Sequence, residues 1–183
     1  MRKILPSMFI LALCVLALFK PPCFSKDEPT TITPYFSPKG GAEKALIAEL
    51  KKAKKSVKVC IYLFTSKRIA ECLAETAKTC KVTVIMDKRM TESAENSQYK
   101  FLAENGIDVK LFKFPKSSSP DQPEPSFHHK FAVIDDSTVI TGSFNWSVYA
   151  ETSNYEDMLI IKDNALALQY ARRFDEIFKE SEK

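Results

Sequence analysis

Apolar residues recur along this chain with two alternating periods, and the changes of period mark out its elements. Ile32 to Phe36 reads as a first strand, with Ser37-Pro-Lys-Gly-Gly41 as the turn behind it. Ala42 to Lys54 places Ala45, Leu46, Leu50 and Ala53 on one stripe, which predicts a helix. Val57 to Phe64 is a β-rich run, Ser66 to Thr79 a helix with Ser66 as its cap, and Lys81 to Met86 a strand. Thr91 to Asn105 predicts a helix stopped at Gly106, and Val109 to Phe112 a short strand. In the second half, Lys130 to Ile134, Thr138 to Thr141 and Met158 to Ile161 read as strands, closed by a helix from Asn164 to about Lys179. This alternation argues for one layered α/β domain. With 183 residues there is a substantial core, no visible repeat and no room for two catalytic lobes.

Two segments fall outside that pattern. Lys113 to Ser126 carries four prolines and four serines, which exclude regular structure. It runs straight into Phe127-His128, as a plain connector or as a loop that gates substrate. Residues 1–25 read as a signal peptide: Arg2 and Lys3, an unbroken apolar run of 12 from Met8 to Phe19, then Pro21, Pro22 and a small-residue cleavage site ending at Ser25. The run is shorter than the roughly 20 residues that span a bilayer. The expectation is a domain of residues 26–183 in the periplasm or secreted, with no stable membrane span after cleavage.

That cleavage alters the charge argument. The whole chain is +4, but Arg2, Lys3 and Lys20 leave with the leader, so 24 basic residues face 23 acidic ones. Polyanion binding then rests on clustered charge rather than net charge. One cluster, Lys51, Lys52, Lys54, Lys55 and Lys58, reads first as a solvated helix end. Five cysteines become Cys60, Cys72 and Cys80; an exported protein can oxidise two of them, yet three buried, non-catalytic thiols is the favoured reading. Cys72 and Cys80 are expected eight residues apart on one helix, too far apart to bridge. Without a Cys-x-x-Cys pair there is no structural zinc site to expect.

The chemistry gathers in Phe127-His-His-Lys-Phe-Ala-Val-Ile-Asp-Asp136 and Gly142-Ser-Phe-Asn145. Side chains alternate along a strand, so His128 and Lys130 share one side while His129 and Phe131 take the other. An imidazole attacks phosphorus, and an ammonium beside it holds the non-bridging oxygens. Gly142 permits a tight turn, and Ser143 and Asn145 add a hydroxyl and an amide. His129 reads as packing, and Lys130 would repel a cation from the His-His pair, so neither a metal nor another cofactor is expected.

The spacing His128, Lys130, Asp135, Gly142, Ser143, Asn145 closely resembles the motif of the phospholipase D superfamily. Tyr35-Phe-Ser-Pro38, Tyr62-Leu-Phe-Thr65, Val84-Ile-Met-Asp87 and Asn154-Tyr-Glu156 fit as well, so the likeness runs from about Thr33 onward. One departure, Cys80-Lys81 where relatives usually carry glycine before the strand, touches a turn and leaves the site alone. The resemblance implies a layered sheet with helices on both faces in a single lobe. It also implies His128, Lys130, Asp135, Asn145 and Glu156 as the catalytic set, with Lys130, Ser143 and Asn145 on the phosphate. Glu156 resembles the acid that holds the histidine in its reactive tautomer. Asp135, on the opposite parity from His128, reads as a structural ion-pair partner.

A phosphohistidine route needs a second group beyond phosphorus to protonate the leaving oxygen. His128 and His129 are adjacent and face opposite ways, so they cannot flank one phosphate. A two-fold homodimer sharing His128 from both subunits solves this, as resemblance to the small single-motif bacterial nucleases of the superfamily also implies. The leading expectation is an exported, metal-independent endonuclease with little sequence preference, since no base-reading motif is visible. A phospholipid head-group phosphodiesterase is the alternative, with Phe127, Phe144 and Trp146 near the site. A non-catalytic nucleic-acid-binding protein stands third.

Overall fold

The computed structural model describes residues 29–114 and 125–181. The leader, residues 1–25, and most of the proline-serine segment lie outside the described residues. Seven strands form one mixed sheet in the order β1 (Thr31–Ser37), β7 (Glu156–Lys162), β6 (Thr138–Gly142), β5 (Lys130–Ile134), β2 (Ser56–Ile61), β3 (Lys81–Asp87), β4 (Asp108–Phe112). β2, β3 and β4 run parallel, and β5, β6, β7 and β1 pair antiparallel from there outward. Helix α1 (Ala42–Leu50), α2 (Lys67–Thr76) and α4 (Tyr99–Glu104) cover one face, while α6 (Asn164–Ser181) covers the other. A single-lobed α/β sheet with helices on both faces is therefore what the sequence folds into.

Burial explains why the central strands read as continuous apolar runs. All five residues of β5 are buried, and Val84, Ile85 and Met86 of β3 are covered on both sides. Along β5, Ala132 and Ile134 join the core beneath α1 and α2, whereas Phe131 and Val133 join the core beneath α6. The latter core takes Ala167, Ala171, Phe174 and Ile177, one stripe of α6. Lys130 opens a strand whose other members are all apolar, so its ammonium has only the strand end at which to emerge.

Several expected boundaries move, each for a local reason. The predicted helix Thr91 to Asn105 is two helices, α3 (Lys88–Ser93) and α4. Asp87 starts α3 early by accepting from the Met90 amide at 2.8 Å, and Gln98 donates to the Phe64 carbonyl at 3.0 Å, which fixes the break between them. α1 ends at Leu50 rather than Lys54, and α2 ends at Thr76, so Cys80 lies in the following turn and not on a helix with Cys72. The Ser66 cap is as expected, its hydroxyl accepting from the Ile69 amide at 3.3 Å. β2 stops at Ile61, leaving Phe64 to bridge Trp146. A short helix α5 (Val148–Thr152), capped by Ser147, was not expected. Cys60 and Cys72 are buried, Cys80 is half-buried, and all three are free. Burial pushes the Cys60 thiol far above its ordinary range.

Asp135 is not the ion-pair partner that strand parity implied. It sits beyond β5 at the end of the sheet away from His128, with a left-handed backbone (φ 54°), and its carboxylate accepts from the amides of Lys54, Lys55 and Ser56 at 2.9, 2.7 and 3.0 Å. Backbone N–H groups replace the expected cation because the α1–β2 turn passes directly over the carboxylate. Partial burial pushes this acid up, but the three amides and the Lys55 charge outweigh it and hold the group below the ordinary Asp value.

A folded-state acid held low stabilises above its unfolded value and loses that stabilisation as pH falls through the folded one. Asp135→Asn keeps a residue that tolerates the left-handed backbone and removes the charge. It is expected to lower stability by about 1–2 kcal/mol at pH 7, and the gap to the wild type should close as pH drops below 3.8 in urea titrations. A gap that is constant with pH would contradict the assignment.

Candidate active site at the end of the sheet

Five strand ends deliver the motif to one place. β2 and β3 end there at Ile61 and Asp87, β5 begins there at Lys130, β6 ends at Gly142 and β7 begins at Glu156. The carboxyl ends of parallel strands are the usual ligand crevice of open α/β sheets. The lysine cluster lies elsewhere. Ser56 is at the opposite end of β2, roughly 16 Å from Ile61 at 3.3 Å per residue. There Lys52 pairs with Glu49 and Lys58 with Asp175 of α6, as a solvated helix end would.

His128 and Lys130 come together as expected. The Lys130 Nζ lies 3.1 Å from His128 Nδ1 and donates to the His128 carbonyl at 3.0 Å. Tyr62, just past β2, holds both: its ring centroid is 4.5 Å from that of His128, and the Lys130 ammonium sits 5.0 Å above it. His129 goes to the α6 side, edge-on between Phe127 and Phe131 at 5.2 and 5.4 Å, yet it is exposed rather than packed into the core. Desolvation and the Lys130 charge push the His128 imidazole below 6.5, with Asp87 and Glu156 pulling the other way. Burial likewise lowers Lys130, opposed by Glu156. At neutral pH the ring is free to act as a base or nucleophile, and an ammonium donating to Nδ1 leaves the proton of the neutral ring on Nε2.

A cavity of about 380 Å³ opens beside this pair, lined by His128, Lys130, Gly142, Ser143, Asn145 and Glu156. Gly142 has φ 148°, and a Cβ there would run into the Asp157 carbonyl oxygen. That oxygen accepts from the amides of both Ser143 and Phe144, at 3.0 and 3.2 Å, which draws β7 against the turn. Trp146 closes the turn: its carbonyl accepts from Thr65 and Ser66, and its ring meets Phe64 edge-on at 5.1 Å.

Two roles differ from expectation within one chain. Glu156 makes no hydrogen bond to His128; it accepts from Ser143 Oγ at 2.5 Å and from Asn154 Nδ2 at 3.1 Å. Ser143 gives its only proton to Glu156 and accepts from the Asp157 amide at 3.1 Å, so it positions the acid. Asn145 faces the cavity with a buried Oδ1 that has no hydrogen-bond partner among the described residues. An orphan of this kind costs about 1–3 kcal/mol until a ligand group satisfies it. Asp135, at the far end of β5, touches none of these residues and has a structural role only.

Sequence reasoning missed one residue that the site depends on. Asp87 is 3% exposed; besides capping α3, its Oδ2 accepts from the Phe127 amide at 2.9 Å, one residue before His128. Its position at the end of a buried strand, where a charge needs a reason, was the available signal. Among the described residues, no group of His, Cys, Asp or Glu gathers as a metal site.

A family model described as "Cardiolipin synthase, PLD-like domain" matches residues 46–178. Mitochondrial cardiolipin hydrolase of Xenopus laevis is 33% identical over 136 residues, 74% of this chain and 60% of that protein. Phospholipase D of Rickettsia typhi is 29% identical over 140 residues, 76% of this chain and 64% of the relative. The chain thus spans about three-fifths of the length of these relatives. Among solved structures, Nuc from Salmonella typhimurium, a phospholipase D family member, matches with a TM-score of 0.72 at 26% identity, over 83% of this chain and 96% of Nuc. NucT from Helicobacter pylori matches at 0.76 and 27%, over 83% and 98%. Both neighbours are covered almost end to end, so each is built on the same single lobe. The family match includes Tyr62, Asp87, the His-x-Lys pair, the Gly142 turn and Glu156, and so the chain belongs to the phospholipase D superfamily, on the single-lobe branch with Nuc and NucT.

Proposed function

We propose that this protein is a metal-independent phosphodiesterase that cleaves nucleic acid endonucleolytically, through a phosphohistidine formed in a homodimeric site. The observation that carries this reading is the placement of His128 and Lys130 together on a polar cavity at the sheet end, with Gly142, Ser143, Asn145 and Glu156 around them. Likeness to Nuc and NucT supports the nuclease part of this reading, and the dimer is supported by there being no third histidine to act across the phosphate. The apolar leader of residues 1–25 is the support for an exported protein.

In this mechanism His128 of one subunit attacks phosphorus through Nε2, and the P–O bond to the leaving group breaks. His128 of the partner subunit gives its proton to the leaving oxygen, then takes a proton from water as the hydroxide displaces histidine and the P–N bond breaks. The proton-donating ring is the imidazolium, with a proton on both nitrogens, so its Nδ1 no longer accepts from Lys130. The attacking ring needs its proton on Nδ1 instead, with a carboxylate to receive it. Asp87 and Glu156 are the acids whose fields reach His128; Asp87 is engaged by the Met90 and Phe127 amides, whereas Glu156 lines the cavity. Lys130 and Asn145 hold the non-bridging oxygens.

A second reading is favoured by the names of the curated relatives, which are cardiolipin hydrolases and phospholipases D. In that case the diester belongs to a phospholipid.

Plasmid DNA and phospholipid vesicles, each offered in excess chelator to wild type and His128→Asn, separate these readings. DNA cleavage that survives chelation and falls at least roughly 10³-fold in the variant is expected; cleavage of vesicles alone transfers the assignment to lipid, and chelator-sensitive cleavage ends the metal-free mechanism. Sedimentation should give two copies per active particle, and an active monomer would dismiss the shared site. Because His128 is held below 6.5 and attacks as the neutral ring, the acidic limb of kcat/KM should have its midpoint below that value.

A further inference from the structure

His128 and Lys130 line two cavities rather than one. Beyond the polar cavity, a second of about 430 Å³ shares His128, Lys130 and Gly142 with it, and extends on the other side between the β5–β6 ends and helix α6. Its far walls are His129, Gln169, Tyr170 and Arg173. A phosphodiester has an ester arm on each side of phosphorus, so a phosphate gripped by Lys130 lies at the junction with one arm directed into this second space.

The chemistry of these walls is specific. Phe127, His129, Phe131 and Tyr170 form a continuous ladder of rings with centroids 5.2, 5.4 and 5.1 Å apart, each pair edge to face. Phe127 and Phe131 are buried and hold the ladder rigid, while His129 is exposed and Tyr170 half-exposed on the cavity side. Arg173 stands where the cavity opens on α6, more than half exposed. Its ion pair there is with Glu176, an exposed partner one turn away at 3.1 Å. Pairs of that kind are weak and exchange readily for a phosphate, to which a guanidinium binds with two parallel bonds. Gln169 adds an amide at the same rim. Planar rings, a guanidinium and an amide suit a base followed by a second phosphate. An acyl chain would find no use for Arg173 and Gln169, whose polar groups stay hydrated at the rim.

We infer that the cavity between β5, β6 and α6 is a nucleotide subsite, in which the sugar and base next to the scissile phosphate lie against His129 and Tyr170 and the following phosphate is bound by Arg173. This rests on the nuclease reading and deepens it. In the symmetric dimer each subunit offers one such subsite, so the strand is held on both sides of the bond that breaks. The selectivity is for a chain of phosphates, with sequence tolerance, because stacking reads no base edge.

The test compares tetrathymidylate with the single-linkage dinucleotide, which has no second phosphate, using wild type, Arg173→Gln and Arg172→Gln. Arg172 is exposed, carries the same charge on the same helix, and does not line the cavity. Arg173→Gln should raise KM for the tetranucleotide roughly tenfold more than for the dinucleotide, and lower the salt slope of oligonucleotide binding by about one, while Arg172→Gln matches wild type. Tyr170→Leu, with its fold checked by circular dichroism, should weaken both substrates. Equal KM values for wild type and Arg173→Gln on the tetranucleotide, or an equal loss in Arg172→Gln, would overturn the subsite while leaving the nuclease reading intact. A wild type that cleaves no polynucleotide overturns both, and Arg173→Gln losing activity only on cardiolipin vesicles reassigns the cavity to a lipid arm.

Discussion

The buried carboxylate of Asp87 is the interaction on which the rest of the site depends. It ends β3, starts α3 and receives the amide of Phe127, so the parallel half of the sheet is tied to the segment that carries His128. Without this acceptor the residue ahead of the His-x-Lys pair would present an unpaired amide at the edge of the core, a cost of about 1–3 kcal/mol. The acid also sends its field to His128, opposing the burial and the Lys130 charge that push the ring toward neutrality. One group thus anchors the segment before the imidazole and moderates the lowering that burial and Lys130 impose on it.

Much of this was legible in the sequence, and the misses have physical causes. Short apolar runs with β-branched residues located the central strands, because a strand covered on both faces has nowhere to put polar residues; Val84 to Met86 and Phe131 to Ile134 are the clearest cases. Strand parity separated His128 and Lys130 from His129, and the Ser66 cap lies where hydroxyl and helix start coincide. The break between α3 and α4 was not legible, since it depends on Gln98 reaching the Phe64 carbonyl, a contact between segments far apart in the chain. For the same reason Asp135 looked like half of an ion pair. Periodicity shows which face a residue takes, and the amides of Lys54, Lys55 and Ser56 come from a turn whose path only the fold decides.

The site residues divide along similar lines. Those within one strand-turn unit, His128, Lys130 and Asn145, were visible as a string. Those contributed by other strand ends, Tyr62 and Asp87, appear in the sequence only as flanking matches without a role. Glu156 was identified by family likeness, yet within one chain its partners are Ser143 and Asn154. A carboxylate engaged by two neutral donors is oriented without a cationic partner. It leaves Glu156 fixed on the wall of the cavity that His128 also lines.

Gly142 shows how small a change in volume sets the dimensions of such a cleft. The space that a methyl group would fill is taken by the Asp157 carbonyl, which binds two turn amides and draws β7 to within reach of Ser143. Any side chain there would push the acid-bearing strand outward and widen the cavity from its floor, while His128 and Lys130 stayed in place just before and at the start of β5. The width of the cavity and the placement of its imidazole are therefore independent properties of the fold, the first set by one absent carbon atom and the second by a carboxylate on a different strand.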